Sequence, residues 1–111
     1  MKIFVGIGEF TLDLRLCRSL KEKRQIIKSI CAKVGKNSMT SICEAGNNDF
    51  WKSSVLMTSV LAHSSNEAGT ALERVRSLIE ASGVEVIDEQ IWILCPHDHR
   101  EWSSWEDDFQ G

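Results

Sequence analysis

The sequence predicts an α+β domain of four strands and two helices in the order β-α-β-β-α-β, and three observations carry that reading. Two Ser-x-x-Glu segments, Ser19-Leu20-Lys21-Glu22 and Ser64-Ser65-Asn66-Glu67, each open a stretch whose apolar residues recur at helical spacing. Strand-like stretches precede the first and follow the second. Between the helices lie two further strand-like stretches joined by Gly46-Asn47-Asn48-Asp49, which are turn-forming residues.

Taken in order, residues 2–16 predict the first strand, because Phe10, Leu12, Leu14 and Leu16 alternate with Glu9, Thr11, Asp13 and Arg15. Ile3, Val5 and Ile7 fall on the opposite parity, and the switch at Gly6 and Gly8 predicts a bulge or a close-packed twist. From its cap at Ser19 the first helix buries Leu20, Ile27, Ile30, Cys31 and Val34, and Gly35 or Asn37 ends it. Residues 38–45 suit a less hydrophobic edge strand, and residues 54–62, apolar at both parities, a central one. The second helix carries Ala68, Ala71, Leu72, Val75, Leu78 and Ile79 on one face, with Gly83 as its C-terminal cap. Residues 84–94 form the last strand, with a parity shift near Asp88-Glu89 that predicts a bulge.

This order is the split βαβ arrangement of ferredoxin-like domains. Right-handed crossovers then give a four-stranded antiparallel sheet in the order 4-1-3-2, with both helices on one face. The start of the first helix and the turn between strands two and three fall at one pole, and Met1, His63 and Cys95 at the other.

A length of 111 residues suits one domain, assigned to 1–94, followed by an acidic, aromatic tail at 95–111. With 42% hydrophobic and 26% charged residues the chain reads as soluble, and no apolar run approaches the roughly 18 residues of a membrane span. Its N-terminus alternates as a strand instead of forming a signal peptide, which predicts a cytoplasmic protein. Cys17, Cys31, Cys43 and Cys95 form no C-x-x-C pair and read as reduced thiols.

The net charge of −3 hides an asymmetry: residues 1–36 hold nine Lys/Arg against three Asp/Glu, and residues 37–111 hold four against thirteen. DNA and membranes are not expected partners, but a local basic patch remains able to hold phosphate or an acidic partner.

Arg18-Ser19-Leu20-Lys21-Glu22-Lys23-Arg24, directly after the first strand, resembles the signature of the YlxP family of small bacterial proteins. Glu44, then Asp49 and Trp51 ahead of a hydrophobic strand, resemble that family's second segment, so the likeness spans about residues 1–94. The resemblance implies a ferredoxin-like fold and a gene neighbourhood of translation and ribosome-assembly factors, without established catalytic residues. Two departures stand out: Leu16-Cys17 replaces a common Pro-Gly turn, and Ser53 replaces an Arg often found two residues after the Trp.

Lys and Arg are disfavoured at a helix N-terminus, whose partial charge is positive, yet Arg18, Lys21, Lys23 and Arg24 gather there. Free N–H groups and cationic side chains converging on one phosphate would account for the choice. Lys21, Arg24 and Lys28 lie within about 60° on a helical wheel, while Lys23 points toward the apolar side, where its stem can pack. Asn47, Asn48, Asp49, Trp51 and Lys52 fall at the same pole and add polar groups and one stacking surface, the equipment of a site for unpaired RNA. The alternative is structural: Trp51 plugs a hairpin base and Asp49 caps a turn or pairs with a lysine of the first helix.

The candidate anion or RNA site is therefore Arg18, Ser19, Lys21, Lys23, Arg24, Lys28, Asp49, Trp51 and Lys52. Cys95, His97 and His99, with His63, are weak metal candidates, and the expectation is no cofactor and no metal. No nucleophile elbow, P-loop or H-E-x-x-H occurs, so a non-enzymatic accessory protein acting on RNA or a ribosomal particle is the preferred reading. Its rival is a homo-oligomeric interaction or small-ligand module working through the open sheet face. A homodimer or larger is expected because strand three is apolar on both faces. Trp102, Trp105 and Phe109 sit at i, i+3 and i+7 in the tail, where they would dock on the sheet or on a neighbouring subunit.

Overall fold

The chain runs β1 (Phe4–Asp13), α1 (Leu20–Val34), β2 (Thr40–Gly46), β3 (Ser53–Ala62), α2 (Ser65–Ala81) and β4 (Glu85–Leu94), closing on a 3₁₀ turn at Pro96–Asp98. These elements come from a computed structural model that describes residues 2–46 and 51–98. The strands pair antiparallel in the order β2-β3-β1-β4. This is the predicted ferredoxin-like βαββαβ sheet, read from its other edge.

Both helices pack on one face of the sheet. Phe10 and Leu12 of β1, Leu56 of β3, Ile27 and Ile30 of α1, and Val75 and Ile79 of α2 meet in the main core. A smaller cluster of Val60, Ala62, Ala68 and Leu72 lies beneath the first half of α2. The helices bury most of the stripes that their spacing predicts: Ile27, Ile30 and Val34 in α1 and Ala68, Leu72, Val75 and Ile79 in α2 are buried, while Leu20, Cys31, Ala71 and Leu78 are half-buried.

The parity switch in β1 is not a bulge. Its pairing with β3 is unbroken from Phe4↔Ala62 to Asp13↔Ser53, and Gly6 and Gly8 are buried on the same face as Phe10 and Leu12. A Cβ on Gly6 would lie 2.8 Å from Val60 and 3.1 Å from Leu72, so the glycine is what lets α2 approach the strand. The bulge predicted in β4 is present: Thr11 pairs with Asp88 and Leu12 with Val86, leaving Ile87 as the extra residue. A second bulge in β2, at Ala45, leaves no mark on so polar a stretch.

The first strand is shorter than its pattern. Beyond Asp13 the Leu14 N–H still reaches the Lys52 carbonyl at 2.8 Å, but the Cys17 N–H then turns back to the Leu14 carbonyl at 2.9 Å. Leu16 consequently points outward with 92% of its surface exposed, against the inward position its alternation predicts. At the far end of α2, Ser82 is the capping residue and Gly83 follows with φ of 84°, the left-handed conformation that glycine adopts without strain.

Candidate anion-binding surface beside the start of helix α1

The first turn of α1 is built by its capping box. The Ser19 hydroxyl accepts from the Glu22 N–H at 3.2 Å, and the Glu22 carboxylate accepts from the Arg18 N–H at 3.3 Å. The Ser19 hydroxyl is thus engaged within the chain, and a carboxylate stands beside the helix terminus. The cations beside the terminus are arranged differently. Arg18, Lys21, Arg24 and Lys28 are all exposed, and none forms an ion pair among the described residues.

Lys23 is not part of that surface. Its side chain is fully buried, and its ammonium lies 3.0 Å from the Glu44 carboxylate, which is 20% exposed. The same Glu44 oxygen accepts from the Ser54 hydroxyl, so one carboxylate joins α1, β2 and β3. Burying a charge is costly unless it is paired and hydrogen-bonded, and this network meets both conditions. Lys23 shares the helix face of Ile27 and Ile30 because it sits four and seven residues before them. Glu44 faces the helices because it shares parity with Ile42. That spacing marks Lys23 as facing inward, although the sequence alone assigned it to the anion site. The pair acts as a positioning contact: it fixes the first turn of α1 against the last residues of β2 and, through Ser54, against the start of β3.

At that turn Trp51 keeps 39% of its surface exposed, and Lys52 is exposed while its carbonyl anchors Leu14. Trp51 is therefore not a plug in the core. Asp49 lies outside the described residues, as do Asn47 and Asn48. Nearby, the Arg15 guanidinium grips the Asp13 carboxylate at 2.7 Å. Hydrogen bonds from the Arg15 side chain, then from its backbone N–H, hold the Asp13 carboxyl below its ordinary range. Arg15 is thereby occupied, which separates it from the exposed cations of α1. Chemically, the exposed cations Arg18, Lys21, Arg24 and Lys28 offer point charges for phosphate oxygens, and Trp51 offers an aromatic face on which a base can stack.

The metal candidates that the structure describes do not assemble. Among the described residues no three His, Cys, Asp or Glu side chains form a ligand group; Cys95 is buried, His97 and His63 are exposed, and His99 is outside the described residues. All four cysteines are free. Burial pushes the Cys17 and Cys31 thiols up, away from the thiolate. Among the described residues no helix is long and apolar enough to cross a membrane. The acidic aromatic tail, including Trp102, Trp105 and Phe109, falls almost wholly outside the described residues.

Residues 5–91 match the protein family described as "Protein of unknown function (DUF503)". The chain belongs to this family. No curated protein matches it. Among solved structures, the de novo designed protein Foldit4 is 12% identical, with a TM-score of 0.45 over 85% of this chain and 97% of that one. The designed protein LFR1 1, described as having a ferredoxin fold, is 11% identical, with a TM-score of 0.45 over 83% of each chain. SnoaB, a cofactor-independent oxygenase from Streptomyces nogalater, is 10% identical, with a TM-score of 0.43 over 85% of this chain and 92% of its own. The fold assignment of the DUF503 chain rests on its own strand order and pairing.

Proposed function

We propose that this DUF503 chain is an accessory protein of the YlxP type that binds single-stranded RNA, free or on a ribosomal particle, through the exposed basic stripe of α1. The observation that carries the reading is the contrast among its cations. Lys23, Arg15 and Arg76 are held by Glu44, Asp13, Glu80 and Glu89, whereas Lys21, Arg24 and Lys28 share one exposed strip with no ion-pair partner among the described residues. Side chains that form no ion pair there, at a position where the helix dipole disfavours them, suit an external anion. Trp51 and Lys52, exposed on the turn at the same pole, add stacking and one further charge.

Titration of the protein with short single-stranded RNAs at two salt concentrations tests this. Affinity is expected to fall with salt, with a slope of log K on log salt near −2 for three phosphate contacts. Absence of binding at low salt, or binding indifferent to salt, would remove the reading.

A further inference from the structure

The two edges of the sheet are unlike. β2 spans seven residues, Thr40–Gly46, with a bulge at Ala45, whereas β4 spans ten, Glu85–Leu94, and beyond its bulge at Ile87 pairs without a break from Asp88 to Leu94. Along β4 the charges are confined to the first half, at Glu85, Asp88 and Glu89, and the second half reads Gln90-Ile91-Trp92-Ile93-Leu94 without a charge or a proline. Ile91, Trp92 and Ile93 remain 41%, 40% and 37% exposed. By register, Ile91 and Ile93 stand beside Gly8 and Gly6 on the helix face, and Trp92 beside Ile7 on the open face. Both faces of this half-strand are thus apolar. Its outer backbone groups have no neighbouring strand among the described residues, since β4 is the end of the sheet. An edge that is long, apolar and unguarded is a template for another strand.

We propose that the second half of β4 pairs antiparallel with the same segment of a second copy, giving a continuous eight-stranded sheet. Charge bears on both the occupant and the register. With the two-fold axis at Trp92, Ile91 faces Ile93 of the other copy and Gln90 faces Leu94, while the two tryptophans stand opposite one another on the open face. Asp88 and Glu89 then fall outside the paired segment, because the positions opposite them, Pro96 and Cys95, lie past the end of β4. Moving the axis to Glu89 would set the two Glu89 carboxylates against one another, and like charges directly opposite are destabilising. The same rule disfavours the chain's own tail as occupant. A hairpin closed over Pro96–Asp98, with Cys95 opposite His99, would set Glu106 directly opposite Asp88. The pairing leaves the α1 stripe free, because α1 sits over the β2 side of the sheet and β4 is at the opposite edge.

Sedimentation of the full chain at micromolar concentrations tests the proposal. The wild type is expected at twice its 12.5 kDa mass. Ile91→Lys with Ile93→Lys should halve that mass, and Met57→Lys, on the open face of β3, should leave it unchanged. Trp92→Cys in a Cys43→Ser background should form a disulfide-linked dimer on mild oxidation, which supplies a second readout should the lysine variant fail to fold. A monomeric wild type would overturn the proposal. So would a dimer that survives the two lysines but is lost with Met57→Lys, or a Trp92→Cys variant that does not cross-link.

Discussion

At the start of α1 the Ser19 hydroxyl accepts from the Glu22 N–H at 3.2 Å, and at the start of α2 the Ser64 hydroxyl accepts from the Glu67 N–H at 3.1 Å. The reciprocal carboxylates also match, Glu22 reaching the Arg18 N–H and Glu67 the His63 N–H. Beyond the caps the two helices diverge. The first turns of α2 carry no cation before Arg74, and Arg76 is spent on Glu80 and Glu89. The first turns of α1 carry Lys21, Lys23 and Arg24, of which Lys23 goes inward to Glu44 and the others stay exposed, without an ion pair among the described residues. One helix thus meets the needs of its terminus with a cap alone. The other has the same cap together with charges that its terminus does not need. The difference separates what the fold requires from what a ligand would require.

The largest effect should come from the inward charge. Glu44→Leu would leave the Lys23 ammonium buried without its carboxylate and is expected to cost about 4 kcal/mol in urea unfolding. Lys23→Met should cost less, about 3 kcal/mol, because Glu44 is one-fifth exposed and can recover water. Combining the two should restore much of the loss, since an apolar pair of similar volume replaces a buried ion pair at small cost. Losses that simply add would show that the two residues do not act as a pair.

The caps come next. Ser19→Ala and Ser64→Ala should each cost about 1 kcal/mol, by equal amounts if the boxes do equal work. A much smaller loss at Ser19 would mean that the cationic first turn of α1 is already frayed, and the comparison between the helices would fail.

The smallest effect concerns the exposed pair beside the stripe. Because Arg15 lowers the Asp13 pKa in the folded state, the contribution of the pair is present above the ordinary carboxylate pKa and is lost as pH falls through the lower folded value. In carboxyl-detected NMR, Arg15→Ala should raise the Asp13 midpoint toward its ordinary value. A midpoint that stays where it is would place the cause elsewhere.

Periodicity carried the fold well. The helix stripes, the apolar character of β3 on both faces and the bulge in β4 all follow from spacing, because burial selects residue type at each position. The pattern misled where one residue answered to two demands. Gly6 and Gly8 break the apolar alternation and so mimic a change of face, but they are small because α2 crosses above Gly6 and the Phe10 ring lies over Gly8. Leu16 continues the alternation past the point where the Asp13–Arg15 contact and the Cys17 turn have already ended the strand. At the candidate site the wheel correctly set Lys23 apart from Lys21, Arg24 and Lys28, but the sequence could not supply its partner. Glu44 lies 21 positions away, and only the pairing of β2 with β3 under α1 brings the two together. The role of the basic stripe was legible as charge alone, since an exposed cation is placed by solvent and leaves no packing signature.

RNA binding by Lys21→Glu with Arg24→Glu, measured against the wild type at low salt on protein shown by circular dichroism to be folded, tests the basic stripe most directly. Unfolding stability should stay within about 1 kcal/mol of wild type, because both side chains are exposed, while affinity falls at least about tenfold. Wild-type affinity in the folded double variant would contradict a ligand role for the stripe, as would a variant that unfolds.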